Sequence, residues 1–380
     1  MDDFITDEKI TVEDGDVFGR EWDRVSAALS AEGFAVKAAG VLKSPISWMF
    51  LVHPFEGKSS ASTAAAIRFA LKRHGCEKVR GIYDSLPGVP HVGIEVTRCN
   101  ESDDEYIRAI FSRESWLKAK ADRTAMPLAL GVDAMGRDLI IDLSALSHLF
   151  IFGGDTMAQG ELLNPALCEL LQARDSSQLE LYVKFGGGAL FVLDERRNMI
   201  GGGEDNPSLD EAKAVKWCGE CKEALLKFKS ELERRKGLFE REECSCMSEY
   251  NVTHANRLSH SVFFLADIPA PDRFDTEGAQ NAISEVEDLI SELIYEDIER
   301  YGFHFVWVQF NLEDYPNLQP AVQSVIRGRD GAIRAGCLTH HTSRDEVSSL
   351  VNFGGVESAG GFKTMYASPA NEVVRVYLPN

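Results

Sequence analysis

The chain has 380 residues, 44% of them hydrophobic and 26% charged, and a formal net charge of −20. That length suits two or three domains with separate cores, and no apolar run is long enough for a membrane-crossing helix. Because Lys and Arg supply most of the affinity for phosphate backbones, so acidic a balance speaks against broad nucleic-acid binding. The start, Met1-Asp2-Asp3-Phe4, lacks the basic and apolar regions of a secretory leader, and scattered cysteines fit the reduced thiols of a cytoplasmic protein.

Residues 1–17 are acidic and poor in apolar pattern, and are expected to form a tail. Over 17–32, Trp22, Val25, Ala28 and Leu29 recur at helical spacing. Strands follow at 34–42 and 47–53, and a helix at 59–74 that Gly75 stops. A strand pair at 79–86 and 91–97 surrounds the turn Pro87-Gly88-Val89-Pro90. Residues 18–100 thus make a small α+β domain, and 101–123 a charged connector helix. From 124 to 380 strands alternate with helices: strands at 128–132, 138–142, 149–152, 179–185, 189–193, 261–265, 304–310 and 332–338, helices at 162–173, 209–240 and 276–301. Such alternation implies an α/β fold, a parallel sheet with helices on both faces.

Within this second domain the strand at 149–152 runs into Gly153, Gly154, Asp155, Thr156, Met157, Ala158, Gln159 and Gly160, with a helix opening near Glu161. A glycine turn before a helix N-terminus can hold an anion on backbone N–H groups. A phosphate-binding loop normally adds a Lys for the β- and γ-phosphates and a hydroxyl for Mg²⁺, where this chain has Gln159 and Gly160. Other conspicuous residues read blandly. Cys218 and Cys221 lie within a helical pattern, and Cys244-x-Cys246 is not a usual zinc spacing, so unpaired thiols and no metal are expected. His340 and His341 adjoin on a strand and would face opposite ways. Gly186–Gly188 reads as a hairpin and Gly201–Gly203 as a turn. The basic stretch at 222–236 and the group Arg327, Arg329 and Arg334 read as a solvated helix face and an exposed loop.

Several segments in one order resemble the FtsK/SpoIIIE-type DNA translocases. They are Gly131-Val132-Asp133 with Gly136, Asp142-Leu143, His148-Leu149, Trp217-Cys218, Glu233-Arg234-Arg235, Tyr250-Asn251, a Walker B-like Val262–Asp267, Gly302-Phe303-His304 and Gly355-Val356-Glu357-Ser358. Upstream, Pro87 to Glu95 is similar to the segment that closes the family's smaller domain, so the likeness spans about residues 18–380. It implies a RecA-like P-loop NTPase motor domain, and assembly of the family's motors as rings on double-stranded DNA.

Departures from the family fall at the chemistry. Thr156 and Ala158 replace loop glycines, and Asp155 puts a negative charge where a triphosphate would lie, a repulsion of about 1 to 4 kcal/mol near 4 Å. Asp267 matches the Walker B acid, but the Glu that polarises water is Ile268. The sensor strand ends Gln309-Phe310-Asn311-Leu312, so Gln309 takes the sensor's place only with a one-residue shift. The Arg acting on a neighbour's nucleotide matches Ser348, with Arg344 a poor substitute. Phosphoryl transfer needs these parts together. The reading is a degenerate homologue, an ATPase-inactive binding or assembly component with no catalytic residue. It would use ATP and Mg²⁺ only if the loop still binds them, and would pair in a ring with itself or a related motor. The alternatives are an active ATP-driven translocase of double-stranded DNA and a partner-recognition component of a secretion motor.

Overall fold

A computed structural model describes residues 12–43, 47–76, 78–84, 91–97, 109–123, 125–133, 137–153, 167, 169–175, 177–185, 199–202, 211–266, 268–309, 312, 314–326, 335–340, 364–367 and 373–377. Strands β1 (Ala38–Lys43), β2 (Ser47–Val52), β3 (Val79–Tyr83) and β4 (Val92–Thr97) form an antiparallel sheet in the order β1-β2-β4-β3. Helices α1 (Val12–Ala31) and α2 (Ser60–Arg73) pack on it through Val25, Leu29, Ile67 and Leu71 against Phe50, Ile82 and Ile94. Helix α2 begins where the Ser59 hydroxyl accepts the Ser62 N–H at 3.2 Å, and Gly75 follows it at φ +63°.

Two boundaries differ from those expected. Helix α1 begins at Val12, inside the stretch 1–17 expected to be a tail. Its Glu13, Asp14 and Asp16 give no apolar signal, but a helix N-terminus favours acidic residues. Strand β1 begins at Ala38 rather than at residue 34. Gly33 turns the chain at φ +82°, the Phe34 N–H returns to the Leu29 carbonyl at 2.9 Å, and Phe34 stacks on Phe55. Phe34 therefore closes α1 as a C-terminal cap residue.

Of the expected connector, residues 101–108 lie outside the described residues; the rest is a 3₁₀ turn at Ala109–Ser112 and helix α3 (Glu114–Ala121). Trp116 of α3 is fully buried with Ile110 and Ala129. Arg174 ties down the end of α3, donating from Nε to the Ala125 carbonyl at 2.8 Å and from Nη1 to the Lys120 carbonyl at 3.0 Å. The connector is thus docked on the sheet that follows.

That sheet has ten strands: β5 (Pro127–Asp133), β6 (Asp138–Asp142), β7 (His148–Gly153), β8 (Leu179–Phe185), β9 (Met199–Gly202), β10 (His260–Ala266), β11 (Phe303–Gln309), β12 (Ala335–His340), β13 (Thr364–Ala367) and β14 (Val373–Tyr377). The order is β6-β5-β14-β13-β12-β7-β11-β10-β8-β9. Pairing is parallel from β12 through β9 and antiparallel from β12 through β6. The expected α/β fold is borne out. Helices α4 (Glu211–Arg241), α5 (Met247–Thr253), α6 (Glu277–Ile294) and α7 (Gln319–Ile326) complete the main elements.

Alternate residues of the central strands feed two cores. Phe150, Phe152, Phe263, Phe305 and Trp307 face α4 and α6, whereas Leu149, Ile151, Val262, Val306 and Val308 join Leu167 and Leu170 on the opposite face. Both faces being buried, these strands read as continuous apolar runs. Helix α6 ends at Ile294 rather than continuing to 301, because a separate 3₁₀ turn (Glu299–Tyr301) and Gly302 at φ +78° redirect the chain into β11. Gly201 and Gly202, expected in a turn, lie in β9, with Gly202 paired to Phe185. The expected strand at 189–193 lies outside the described residues.

Candidate functional site

In an open parallel sheet, ligands bind beyond the carboxyl ends of the strands where connections diverge. Here that rim is made by β12, β7, β11, β10 and β8. Gly153, the last residue of β7, is paired to His340, and Phe152 lies level with Gln309 on one side and Thr339 on the other. Ala266, the last residue of β10, is level with Val308 and Phe185. One strand, β11, therefore separates the strand entering the glycine loop from the strand leading to Asp267. Gly153 has φ +87°, in the left-handed region open to glycine, so the chain turns sharply at the expected place. Gly154, Asp155, Thr156, Met157, Ala158, Gln159, Gly160 and Asp267 lie outside the described residues, as do Arg344 and Ser348.

Ile268 and Gln309 can be placed. Ile268 is buried in the aromatic core, and the Gln309 side chain grips its backbone from both sides. The Ile268 N–H donates to Gln309 Oε1 at 3.0 Å, while Gln309 Nε2 donates to the Ile268 carbonyl at 3.4 Å and to the Tyr315 hydroxyl at 2.7 Å. Tyr315 in turn donates to the Ile268 carbonyl. Both Gln309 and Tyr315 are buried, and Tyr315 meets Trp307 edge-on at 5.8 Å. The amide is committed to a backbone, and the side chain after Asp267 is apolar. An Ile can neither accept a proton nor orient a water molecule.

A second polar group near this rim escaped the sequence reading. Lys184, one residue before the end of β8, is buried, pairs with Glu220 at 2.6 Å, and lies 5.4 Å from the Trp217 ring centre. Its only signal was one cation in the apolar strand Leu179–Phe185. Cys218 and Cys221 are buried beside it as free thiols; burial pushes Cys218 up to about 12 and Cys221 further still, despite the nearby Lys184 charge. Thiols held protonated this way are poor metal ligands and poor nucleophiles.

The opposite ends of the same strands hold most of the sequence landmarks. Arg235 of α4 is buried and donates to the Ser259 carbonyl at 2.7 Å, the Tyr301 carbonyl at 3.1 Å and the Ser261 hydroxyl at 3.2 Å. Its guanidinium lies 4.6 Å from the centre of the Phe303 ring. Gly302 has φ +78°, which strains any other residue, and a Cβ there would sit 2.2 Å from Met247 Sδ and 3.3 Å from Arg235 Nη1, so the Met247 thioether would have to move. His304 Nδ1 donates to the Leu146 carbonyl at 2.7 Å, which leaves Nε2 to accept from His260 Nδ1 at 2.9 Å. Burial lowers His304 to about 4. Asn251 clamps Leu258 by accepting its N–H at 2.7 Å and donating to its carbonyl at 2.9 Å. The Asp142 carboxylate accepts the N–H groups of Met126 and Ser144 at 2.7 and 2.9 Å, and Asp133 holds Arg137 across the β5–β6 hairpin.

These landmarks can be set against known proteins. The FtsK DNA translocase of Treponema pallidum (strain Nichols) is 27% identical over 219 residues, covering 57% of this chain and 25% of that protein. That of Haemophilus ducreyi (strain 35000HP) is 24% identical over 148 residues, 39% of this chain and 15% of that one. This chain is a homologue of the FtsK DNA translocases at modest identity. It spans a quarter or less of the length of these relatives. No family model matches the chain. Among solved structures, the pCW3 conjugation coupling protein TcpA, determined as a monomer with ATPγS, superposes with a TM-score of 0.50 at 12% identity. The match covers 95% of this chain and 96% of that one. The ten-stranded sheet is accordingly a RecA-like P-loop ATPase fold. Among the described residues no helix is long and apolar enough to cross a membrane.

Proposed function

We propose that this FtsK/SpoIIIE-type protein is a catalytically degenerate member that works as a binding or assembly component beside a related motor in the cytoplasm. The observation that carries this reading is the buried Ile268 backbone held by Gln309 and Tyr315. A hydrolysing site needs a carboxylate at that point and a polar sensor free to meet the γ-phosphate. Gln159 and Gly160 in the loop support the same reading, because neither offers a charge for the phosphates or a hydroxyl for Mg²⁺. Ile268 and the occupied Gln309 amide support this reading over a hydrolysing Mg·ATP centre. Retained binding without turnover stays compatible with the turn at Gly153, since backbone amides at a helix N-terminus can hold an anion unaided.

Homology to DNA translocases keeps an active motor as the second reading, with Asp267 as its metal-supporting acid. Binding of a fluorescent ATP analogue with Mg²⁺, measured alongside hydrolysis with and without duplex DNA, separates the two. The degenerate reading expects no DNA-stimulated hydrolysis and no change in Asp267→Ala. Hydrolysis that Asp267→Ala abolishes would overturn it.

A further inference from the structure

A cavity of about 580 Å³ opens in the four-stranded unit, far in sequence from the strand ends discussed above. Its walls come from α1, the turn after α2, and the start of β3. Val25, Ala28, Val79 and Val96 make an apolar floor, and Glu21, Arg24 and Lys78 stand at its edge. The volume of this open cleft is in the range of small-molecule sites.

The charges at the edge are unequal. The Glu21 side chain is only 8% exposed, and both cations meet its carboxylate, Lys78 at 2.8 Å and Arg24 at 3.1 Å. One buried carboxylate thus faces two cations. Arg24 donates to it through Nη1 alone, so its Nε and Nη2 groups and the remaining ammonium N–H groups of Lys78 have no protein acceptor among the described residues. His74 and Arg73, the next cations along, are already paired with Glu32. An apolar floor beneath an excess positive charge suits a molecule with one negative charge and an apolar body. Guanidinium is also the side chain best shaped to take a carboxylate on two parallel N–H bonds.

We propose that this cavity binds a small amphipathic monoanion, a carboxylate carrying an acyl or aryl body, with the head on Arg24 and Lys78 and the body over Val25 and Val79. The proposal is independent of the ATPase reading. Cys76 lines the cavity as a part-buried free thiol and reports occupancy. Alkylation of Cys76 by N-ethylmaleimide at mildly alkaline pH is followed by peptide mass spectrometry in the full chain. Sodium octanoate is the probe, octan-1-ol its neutral counterpart, and the part-exposed Cys244 and Cys246 are internal controls. At twice its Kd, octanoate is expected to slow the Cys76 reaction about threefold and leave the two controls unchanged. Octanol should protect less, and Lys78→Gln and Arg24→Gln, both at exposed positions, should each weaken protection by octanoate without loss of fold by circular dichroism. Three results would overturn the proposal: an unchanged Cys76 rate, equal protection by octanol, or equal slowing at Cys244.

Discussion

The two ends of the central strands are built on opposite plans. At the amino ends, charged and polar side chains do structural work. Arg235 joins α4 to the approaches of β10 and β11, His304 links to Leu146 and His260, and Gly302 leaves room for both Met247 and Arg235. At the carboxyl ends, where a P-loop ATPase does its chemistry, the described polar groups are sealed against one another. Gln309 and Tyr315 spend their hydrogen bonds on the Ile268 backbone, and Lys184 spends its charge on Glu220. In the one sheet, polar side chains brace the strands at their amino ends, and those described at the carboxyl ends pair with one another.

The largest test of that contrast is Arg235→Met. Removing a buried guanidinium that satisfies two carbonyls and a hydroxyl should cost about 4 kcal/mol, read as a lower urea midpoint with unchanged slope. Acid titration comes next. Burial holds His304 near 4, while an exposed histidine has a pKa of about 6.5, so the unfolded state takes up the proton first. Stability should therefore be full above about pH 6.5 and fall by about 3 kcal/mol from this residue as pH drops toward 4, a slope that His304→Gln should flatten. A protein equally stable at pH 7 and pH 4.5 would contradict the buried neutral imidazole.

At the other rim, Gln309→Leu should cost about 2 kcal/mol by leaving the Ile268 N–H and carbonyl less satisfied. Amide exchange at Ile268 should accelerate while that at Leu265 stays slow. Should Gln309→Leu prove costlier than Arg235→Met, the contrast between the two ends would be reversed. The smallest effect concerns His148. Its ring is fully buried and its nitrogens have no hydrogen-bond partner of normal geometry among the described residues, although the Ile294 and Glu296 backbone offsets part of a desolvation that lowers it to about 3. It packs on Phe150 and Phe305. His148→Phe should be neutral or stabilising by at most about 1 kcal/mol, measured by the same urea midpoint.

Much of the fold was legible because burial on two faces leaves a plain signal: apolar runs at β7, β10 and β11 separated by long helical patterns. The short elements were not. Strands β13 and β14 and helix α7 are too brief to show a period, and β9 is half glycine, so its identity rests on pairing with β8 rather than on its own composition. The candidate site was legible only in part. Motif order located Ile268 and Gln309, yet nothing in a one-dimensional pattern shows that a glutamine amide closes on a backbone 41 residues away in sequence, or that Tyr315 completes the clasp. Arg235 and Gly302 were found as family landmarks, and their physical reason emerged only when the methionine wedged between them was seen.

Strand β14 sits between β13 and β5, so the β5–β6 hairpin reaches the rest of the sheet through a strand from the far end of the sequence. During synthesis that hairpin would emerge long before the partner that docks it, leaving its edge unpaired until β14 appears. The α3 segment, with Trp116 and Arg113 packed on the hairpin, is then its early companion. Closing the sheet waits on β14, and a nascent protein stalled before that strand would present a sticky border to its neighbours.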